Sequence, residues 1–162
     1  MIFVTLGTQS CDFSRCTKMI DELVSKHSIK EPIIAQIGHT AYKPQGVKCF
    51  DFVSEQEYQR YILEARVIIS HAGTGALFSS ISKGKKVIAV ARLHKYGEMI
   101  NDHQTEIVKK LSEEGFILNG TNSIAEVWKE LDVFMPTQFS FKNAIVEAID
   151  RQLAEWLKSA TL

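Results

Sequence analysis

Short apolar runs alternate with amphipathic stretches along most of the chain. The runs are rich in β-branched residues and bounded by Gly, Pro or polar residues, which is typical of buried strands. They occur at residues 2–6, 32–37, 47–53, 67–70 and 86–90, with a shorter one at 116–118. The alternation of these runs with helical stretches predicts an α/β layer structure built on a mainly parallel sheet.

Helices are predicted where apolar residues recur at helical spacing. The predicted helices cover residues 11–26, 55–65, 76–83, 102–114, 123–131 and 141–158. Ser54 and Glu57 form a capping-box signature before the second of them. The last helix carries an apolar stripe made of Ile145, Ile149, Leu153, Trp156 and Leu157. We expect residues 1–162 to form one domain, with residues 137–162 a terminal helix that packs on the core or docks a partner.

The stretch from residue 67 to residue 90 predicts a strand, a glycine-rich turn, a helix and a second strand. The turn reads His71-Ala-Gly-Thr-Gly75. The free N–H groups and the dipole of the following helix favour a phosphate or diphosphate at such a turn. The alternative is an ordinary turn whose glycines serve tight packing. Phe78 stands where the dinucleotide fingerprint needs a third glycine, and the chain contains no P-loop.

Polar residues follow several of the predicted strands. Because crossover connections bring the carboxyl ends of parallel strands to one rim, we expect these residues to meet there. The richest group runs from Arg92 to Gln104. Its Asn, Asp and Gln side chains offer donor and acceptor pairs suited to sugar hydroxyls. The alternative is a solvated loop with a helix cap at Asn101 or Asp102.

Composition and charge remove several classes of function. Lys plus Arg and Asp plus Glu number 19 each, and this neutral balance argues against general nucleic-acid binding. Three cysteines without CxxC spacing indicate a reducing cytoplasm rather than a disulfide framework or zinc site. The first residues, MIFVTLG, lack a basic region and predict a strand rather than a signal peptide, and no apolar run approaches the length of a membrane span. There is also no Asp-x-Asp run or His/Cys cluster to hold a divalent ion, so we expect no metal site.

Several ordered motifs together resemble one family of enzymes. They are VTLGTQ near the start, QIG, DFVS, SHAGTGALFSSISKGKKVIAV and YGEMINDHQ, all within residues 1–118. They resemble the carboxyl-terminal, donor-binding half of the inverting GT-B glycosyltransferases, the family of the bacterial lipid-II N-acetylglucosaminyltransferase. The likeness is closer to single-domain members, namely the catalytic-type subunit of the dolichol-linked N-acetylglucosamine transferase and bacterial capsule and exopolysaccharide subunits.

The resemblance implies a Rossmann-like three-layer fold and a UDP-sugar site without metal or other cofactor. It places Gly7, Thr8 and Gln9 in the first loop facing the diphosphate, and the backbone at Phe52 and Val53 against uracil. It places the diphosphate at Gly73, Thr74, Gly75 and Ala76, and the sugar hydroxyls at Asn101, Asp102, His103 and Gln104, after Glu98. His71 and His103 are candidates for binding or for structural roles. Ser79 stands where the family usually has a ribose-binding Glu, and we expect Ser79 or Ser80 to bond the ribose there more weakly. Ala91 replaces a frequent Pro and Met99 a frequent His.

By this resemblance, we expect a glycosyltransferase subunit that transfers a hexose or N-acetylhexosamine from UDP to a polyprenyl-diphosphate-linked acceptor, with inversion. The acceptor site and general base would belong to a membrane-associated partner, so the chain would be cytoplasmic and peripheral at the membrane through that partner. Two alternatives stay open. One is a non-catalytic nucleotide-sugar-binding subunit that activates a partner transferase. The other is a UDP-sugar epimerase, which needs two such halves, and 162 residues are too few for both.

Overall fold

The computed structural model describes residues 1–138. The helix predicted over 141–158 and its apolar stripe lie outside the described residues. Within residues 1–138, six parallel strands form one sheet in the order β3-β2-β1-β4-β5-β6. The strands are β1 Ile2–Thr5, β2 Ile33–Gln36, β3 Lys48–Phe50, β4 Val67–His71, β5 Lys86–Val90 and β6 Leu118–Asn119. The predicted parallel α/β fold is confirmed.

The strand order reverses between β1 and β4, which lie side by side at the centre of the sheet. Ile2 is opposite Val67, and Thr5 is opposite Ser70. Chains leave these two strands toward opposite sides of the sheet, so a crevice opens beyond their carboxyl ends. The sheet therefore places the loop after β1 and the glycine-rich turn after β4 next to each other.

Helices cover both faces of the sheet, which makes the fold a three-layer, Rossmann-like structure. They are α1 Ser14–His27, α2 Glu55–Glu64, α3 Thr74–Ile81, α4 His103–Glu113 and α5 Ile124–Val127, with 3-10 turns at His94–Tyr96 and Trp128–Glu130. One core layer joins Val4 and Ile69 of the sheet to α1 and α5. The opposite layer joins Phe3 and Ile68 to α2, α3 and α4. Neighbouring strand residues thus point to opposite layers, as the strand period requires.

Most element bounds lie within two residues of the sequence prediction. The helix predicted over 76–83 spans Thr74–Ile81, and the strand predicted over 47–53 ends at Phe50, three residues early. The capping box of α2 is present, because Glu57 N donates to Ser54 Oγ at 3.2 Å and Ser54 N donates to the Glu57 carboxylate at 3.2 Å. The start predicted for α1 is wrong by three residues, since the Asp12 carboxylate accepts bonds from the amide and hydroxyl of Ser14. Residues 6–13 form a loop instead, called the first loop below.

The prediction for the last strand is also displaced. Phe116 N donates to Leu111 O and so closes the end of α4 rather than opening a strand. Pairing with β5 begins only at Leu118, which lies opposite Ile88. The predicted helix over 123–131 is shorter, because it tightens into a 3-10 turn at Trp128.

Candidate functional site

A cavity of about 330 Å³ opens at the carboxyl edge of the sheet, where β1 meets β4. Its walls come from the first loop, the ends of β2 and β3, and the turn after β4. It is lined by Thr5, Gly7, Thr8, Gln36, Phe52, Val53, Glu55, Tyr58, His71, Gly73, Gly75 and Ala76. The structure therefore brings together eight of the residues predicted for the site. We call this space the donor cavity.

The His71 imidazole lies between the first loop and the glycine-rich turn. Its Nδ1 is 3.2 Å from the Thr5 carbonyl oxygen. Because a carbonyl only accepts, the proton belongs on Nδ1, which leaves a lone pair on Nε2. A Cβ added at Gly7 or Gly73 would stand 2.5 Å or 2.3 Å from Nε2. These two glycines are therefore required by packing against the ring, and Gly7 also has a φ of +77°.

Burial lowers the pKa of His71 to about 4, and the nearby positive charge of Arg92 acts in the same direction. The bond to the Thr5 carbonyl opposes both effects but does not overcome them. The ring is consequently neutral at physiological pH. A neutral ring with this tautomer offers an acceptor nitrogen to the cavity, and it is a weak base.

Helix α3 begins at the cavity without a side-chain cap. Gly73 is its N-cap and offers no hydrogen-bonding side chain. The amides of Thr74, Gly75 and Ala76 have no partner inside the helix, since the first such bond runs from Leu77 N to Gly73 O. No atom lies within 4 Å of a Cβ built on Gly75. Room for an anion thus remains over the positive end of the helix dipole.

The opposite wall of the cavity is aromatic and hydrogen-bonded. Phe52 is 49% exposed and meets the His39 ring edge-on, with centroids 5.3 Å apart. Val53 N donates to the Gln36 side chain at 3.3 Å. Tyr58, whose pKa is raised by burial, accepts a bond from the Thr5 hydroxyl at 3.4 Å. An exposed ring beside backbone amides and a side-chain amide suits a planar base with polar edges.

Gln36 and Tyr58 were not predicted from the sequence. Gln36 is buried at the end of β2, and its amide oxygen reaches the loop after β3. Tyr58 lies inside α2, where its apolar character gave only a helical-face signal. The sequence signals for this wall are the DFVS motif and a glutamine at the carboxyl end of a predicted strand.

The predicted residues from Glu98 to Gln104 are not part of the cavity lining, and they bond to the loop between β5 and α4 and to α1. The Glu98 carboxylate is 2.9 Å from both Nε and Nη2 of Arg15, and it also accepts from Leu93 N at 2.8 Å. Asp102 accepts from His94 N at 2.8 Å, and Gln104 from Arg92 N at 2.9 Å. These carboxylate and amide oxygens hold the loop between β5 and α4.

Five other predicted residues lie outside the cavity lining. Asn101 accepts from His103 N at 3.3 Å, and the His103 ring is exposed, 3.9 Å from Glu106. Ser79 Oγ accepts from Lys83 at 3.2 Å. The other two, Gln9 and Thr74, are exposed. The alternative prediction of a helix cap at Asn101 or Asp102 is confirmed in part. Asp102 is the N-cap of α4, but its side chain makes no cap bond. Sugar and ribose contacts by these side chains stay predictions.

Neither a metal-binding group nor a membrane-spanning helix is found in residues 1–138. No cluster of three or more His, Cys, Asp or Glu side chains there could hold an ion. No helix in the same range is long and apolar enough to cross a bilayer.

The fold and the position of the cavity are those of a Rossmann-like domain with a ligand crevice at its topological switch point. Residues 1–152 match the family model described as the glycosyltransferase family 28 C-terminal domain, and the chain belongs to that family. The human UDP-N-acetylglucosamine transferase subunit ALG13 is 30% identical over 123 residues, and the mouse protein 27% over 127. These matches cover 72% and 71% of this chain but only 10% of each relative, so the chain spans about a tenth of their length.

Solved structures show the same fold. An NMR structure of ALG13 superimposes with a TM-score of 0.60 at 18% identity, covering 91% of this chain and 93% of that one. MurG from Acinetobacter baumannii gives a TM-score of 0.52 at 19% identity, covering 80% of this chain and 40% of that one. The glycosyltransferase SnogD from Streptomyces nogalater gives 0.54 at 18% identity, covering 82% and 35%. The predicted family and fold class are confirmed.

Proposed function

We propose that this domain binds a UDP-sugar in the donor cavity, with the diphosphate at the start of α3. The observation that carries this proposal is the uncapped helix start, which opens into the cavity at the point where the strand order reverses. Three free amides and the helix dipole favour a diphosphate there. Oriented amides of this kind also stabilise the charge that develops on a leaving UDP.

The base and ribose fit the other wall of the cavity. Uracil would lie against Phe52, with its polar edge toward the backbone at Val53 and the Gln36 amide. The sugar would extend toward the loop between β5 and α4, where Asn101 to Gln104 begin the next helix. A hexose or N-acetylhexosamine is the proposed donor sugar. The relatives named UDP-N-acetylglucosamine transferase subunits favour N-acetylglucosamine.

The proposed reaction is inverting transfer to a polyprenyl-diphosphate-linked acceptor, together with a membrane-associated partner that holds the acceptor and its base. His71 lines the cavity together with Glu55 and Tyr58, and a pKa of about 4 makes its ring a poor proton acceptor at neutral pH. The relatives are named as transferase subunits, which also favours an active site shared between two chains. A domain that only binds the donor and activates its partner would have the same cavity. Activity of the partner alone separates the two functions, because a transferase that is only activated by this domain keeps basal activity without it.

The diphosphate position is tested by calorimetric titration of UDP into Gly75 variants. A Gly75→Asp change puts a carboxylate over the helix start, and we expect at least a tenfold loss of affinity, about 1.4 kcal/mol or more. Gly75→Ala is the matched control, because its Cβ meets open space. Ser82→Asp adds the same charge at the far end of α3. Equal UDP affinity in Gly75→Asp and the controls would refute this diphosphate site.

A further inference from the structure

Arg92 follows β5 and extends beneath the first loop. Its side chain is 1% exposed, and its guanidinium lies over the Phe13 ring, 4.4 Å from the centroid. Nη2 donates to the Leu6 carbonyl at 3.0 Å, and Nη1 to the Cys11 carbonyl at 3.0 Å. Arg92 thus holds both ends of the segment that carries Gly7 and Thr8 into the donor cavity.

The charge of Arg92 has no directly bonded carboxylate. Its acceptors are backbone carbonyls, including Glu98 O at 3.3 Å, and its Nε is buried without an acceptor. The Glu98 carboxylate is engaged by Arg15 through two bonds of 2.9 Å. Asp12 also attracts Arg92 but is exposed. Burial lowers the pKa of Arg92, yet a guanidinium stays charged at neutral pH. Arg15 and Arg92 carry two positive charges, and Glu98 supplies one buried negative charge. Burying the positive charge that remains lowers the stability of the domain without a ligand.

The positive charge of Arg92 acts on His71, which lines the donor cavity. Arg92 is one of the causes that lower the pKa of His71, after burial of the ring. The ring lies against the Thr5 carbonyl, Gly7 and Gly73, and the titratable side chains of Glu55 and Tyr58 line the same cavity. A field that disfavours a proton on His71 favours an anion in the same space.

We propose that Arg92 is the fixed positive charge of the donor cavity, which positions the first loop and stabilises a bound diphosphate through space. This inference rests on the proposed function for its ligand. Arg92 acts through the loop and through its field, so it is a positioning residue. Its charge, held on the Leu6 and Cys11 carbonyls of the first loop, would add to the helix dipole of α3.

Comparing the affinities for UDP and for uridine separates the effect of the Arg92 charge on the diphosphate from its effect on the structure of the first loop. We expect Arg92→Met to weaken UDP binding by about tenfold, because the lost attraction acts only on the diphosphate, and to change uridine binding by less than about twofold. Arg92→Lys keeps the charge and should retain UDP affinity within about threefold. Arg66→Met, which removes an exposed arginine paired with Glu31, is the matched control.

The His71 titration, followed by NMR in the same variants, gives a readout that does not need UDP. The His71 pKa should rise in Arg92→Met and stay in place in Arg92→Lys and Arg66→Met. Equal losses for UDP and uridine, or an unmoved His71 titration in Arg92→Met, would overturn the proposal. If wild type fails to bind UDP, the proposed function fails, while the titration still decides whether the charge of Arg92 reaches the cavity.

A second variant keeps the test decisive if Arg92→Met does not fold. Glu98→Gln removes the buried carboxylate while keeping an oxygen for Arg15 and Leu93 N. It removes a carboxylate whose negative charge acts on Arg92, so we expect tighter UDP binding, by about two- to fivefold. Weaker UDP binding in folded Glu98→Gln with unchanged uridine affinity would contradict the proposal.

Discussion

Two polar regions lie at the carboxyl rim of the sheet, and they differ in how their hydrogen bonds are used. At the donor cavity, the first amides of α3 and the Nε2 atom of His71 are turned toward open space. In the second region, which is the loop between β5 and α4 with the first turn of α4, the oxygens of Glu98, Asp102 and Gln104 accept bonds from neighbouring groups. Polar residues at a rim therefore do not all have one role. The first region has unbonded groups that a ligand can use, and the second holds the loop between β5 and α4 in place.

The largest expected effect concerns the neutral His71 ring. Its folded pKa of about 4 lies below the ordinary value of 6.5, so the unfolded chain binds more protons between these pH values. Stability from this group is present above pH 6.5 and is lost as the pH falls toward 4, by roughly 3 kcal/mol. Denaturant unfolding of wild type and His71→Gln across this range measures the loss. A His71→Gln variant with the same pH dependence as wild type would show that His71 is not the cause.

The next effect is steric. Gly73→Ala places a Cβ against the His71 ring, 2.3 Å from Nε2 at the present geometry. We expect a loss of about 2 kcal/mol of stability, together with weaker UDP binding, because the ring or the turn must shift. In a His71→Ala background the same change should cost much less, and a double-mutant cycle measures the difference. Additive effects would mean that the glycine serves something other than the ring.

A smaller effect is expected in the second region. Gln104→Met leaves the buried Arg92 amide without its acceptor and should lower stability by about 1–2 kcal/mol. UDP affinity per folded molecule should stay within about twofold, since the side chain does not line the donor cavity. Comparing UDP with a UDP-sugar sharpens the test. A loss confined to the UDP-sugar would show that Gln104 also contacts the sugar, as the family resemblance implies.

The smallest expected effect is that of a chelator. We expect UDP affinity to change by less than about twofold in EDTA, because amides, the dipole of α3 and the charge of Arg92 act on the diphosphate. Titrations with EDTA and with added Mg²⁺ or Mn²⁺ check this. A strict requirement for either ion would contradict metal-independent donor binding.

Local signals predicted much of the fold, while the division between the two regions depends on contacts that the sequence does not show. The Ser54 cap and the strands at 67–71 and 86–90 follow from neighbouring residues. The ion pair of Arg15 with Glu98 joins residues 83 positions apart. Nothing near Glu98 in sequence reveals that its carboxylate is already bonded. The sequence also does not show that Gly73, whose place in the motif indicates close approach of a ligand, packs against the His71 ring.

The central claim is that the donor cavity, and not the loop between β5 and α4, receives the UDP diphosphate. Backbone amide shifts of the labelled protein during UDP titration test it most directly. If the diphosphate binds at the start of α3, we expect the largest shifts at Gly7, Thr8 and Thr74 to Ala76. Smaller shifts are expected at Val53, and little change from Glu98 to Gln104. Largest shifts at Glu98 to Gln104, with Thr74 to Ala76 unmoved, would contradict it.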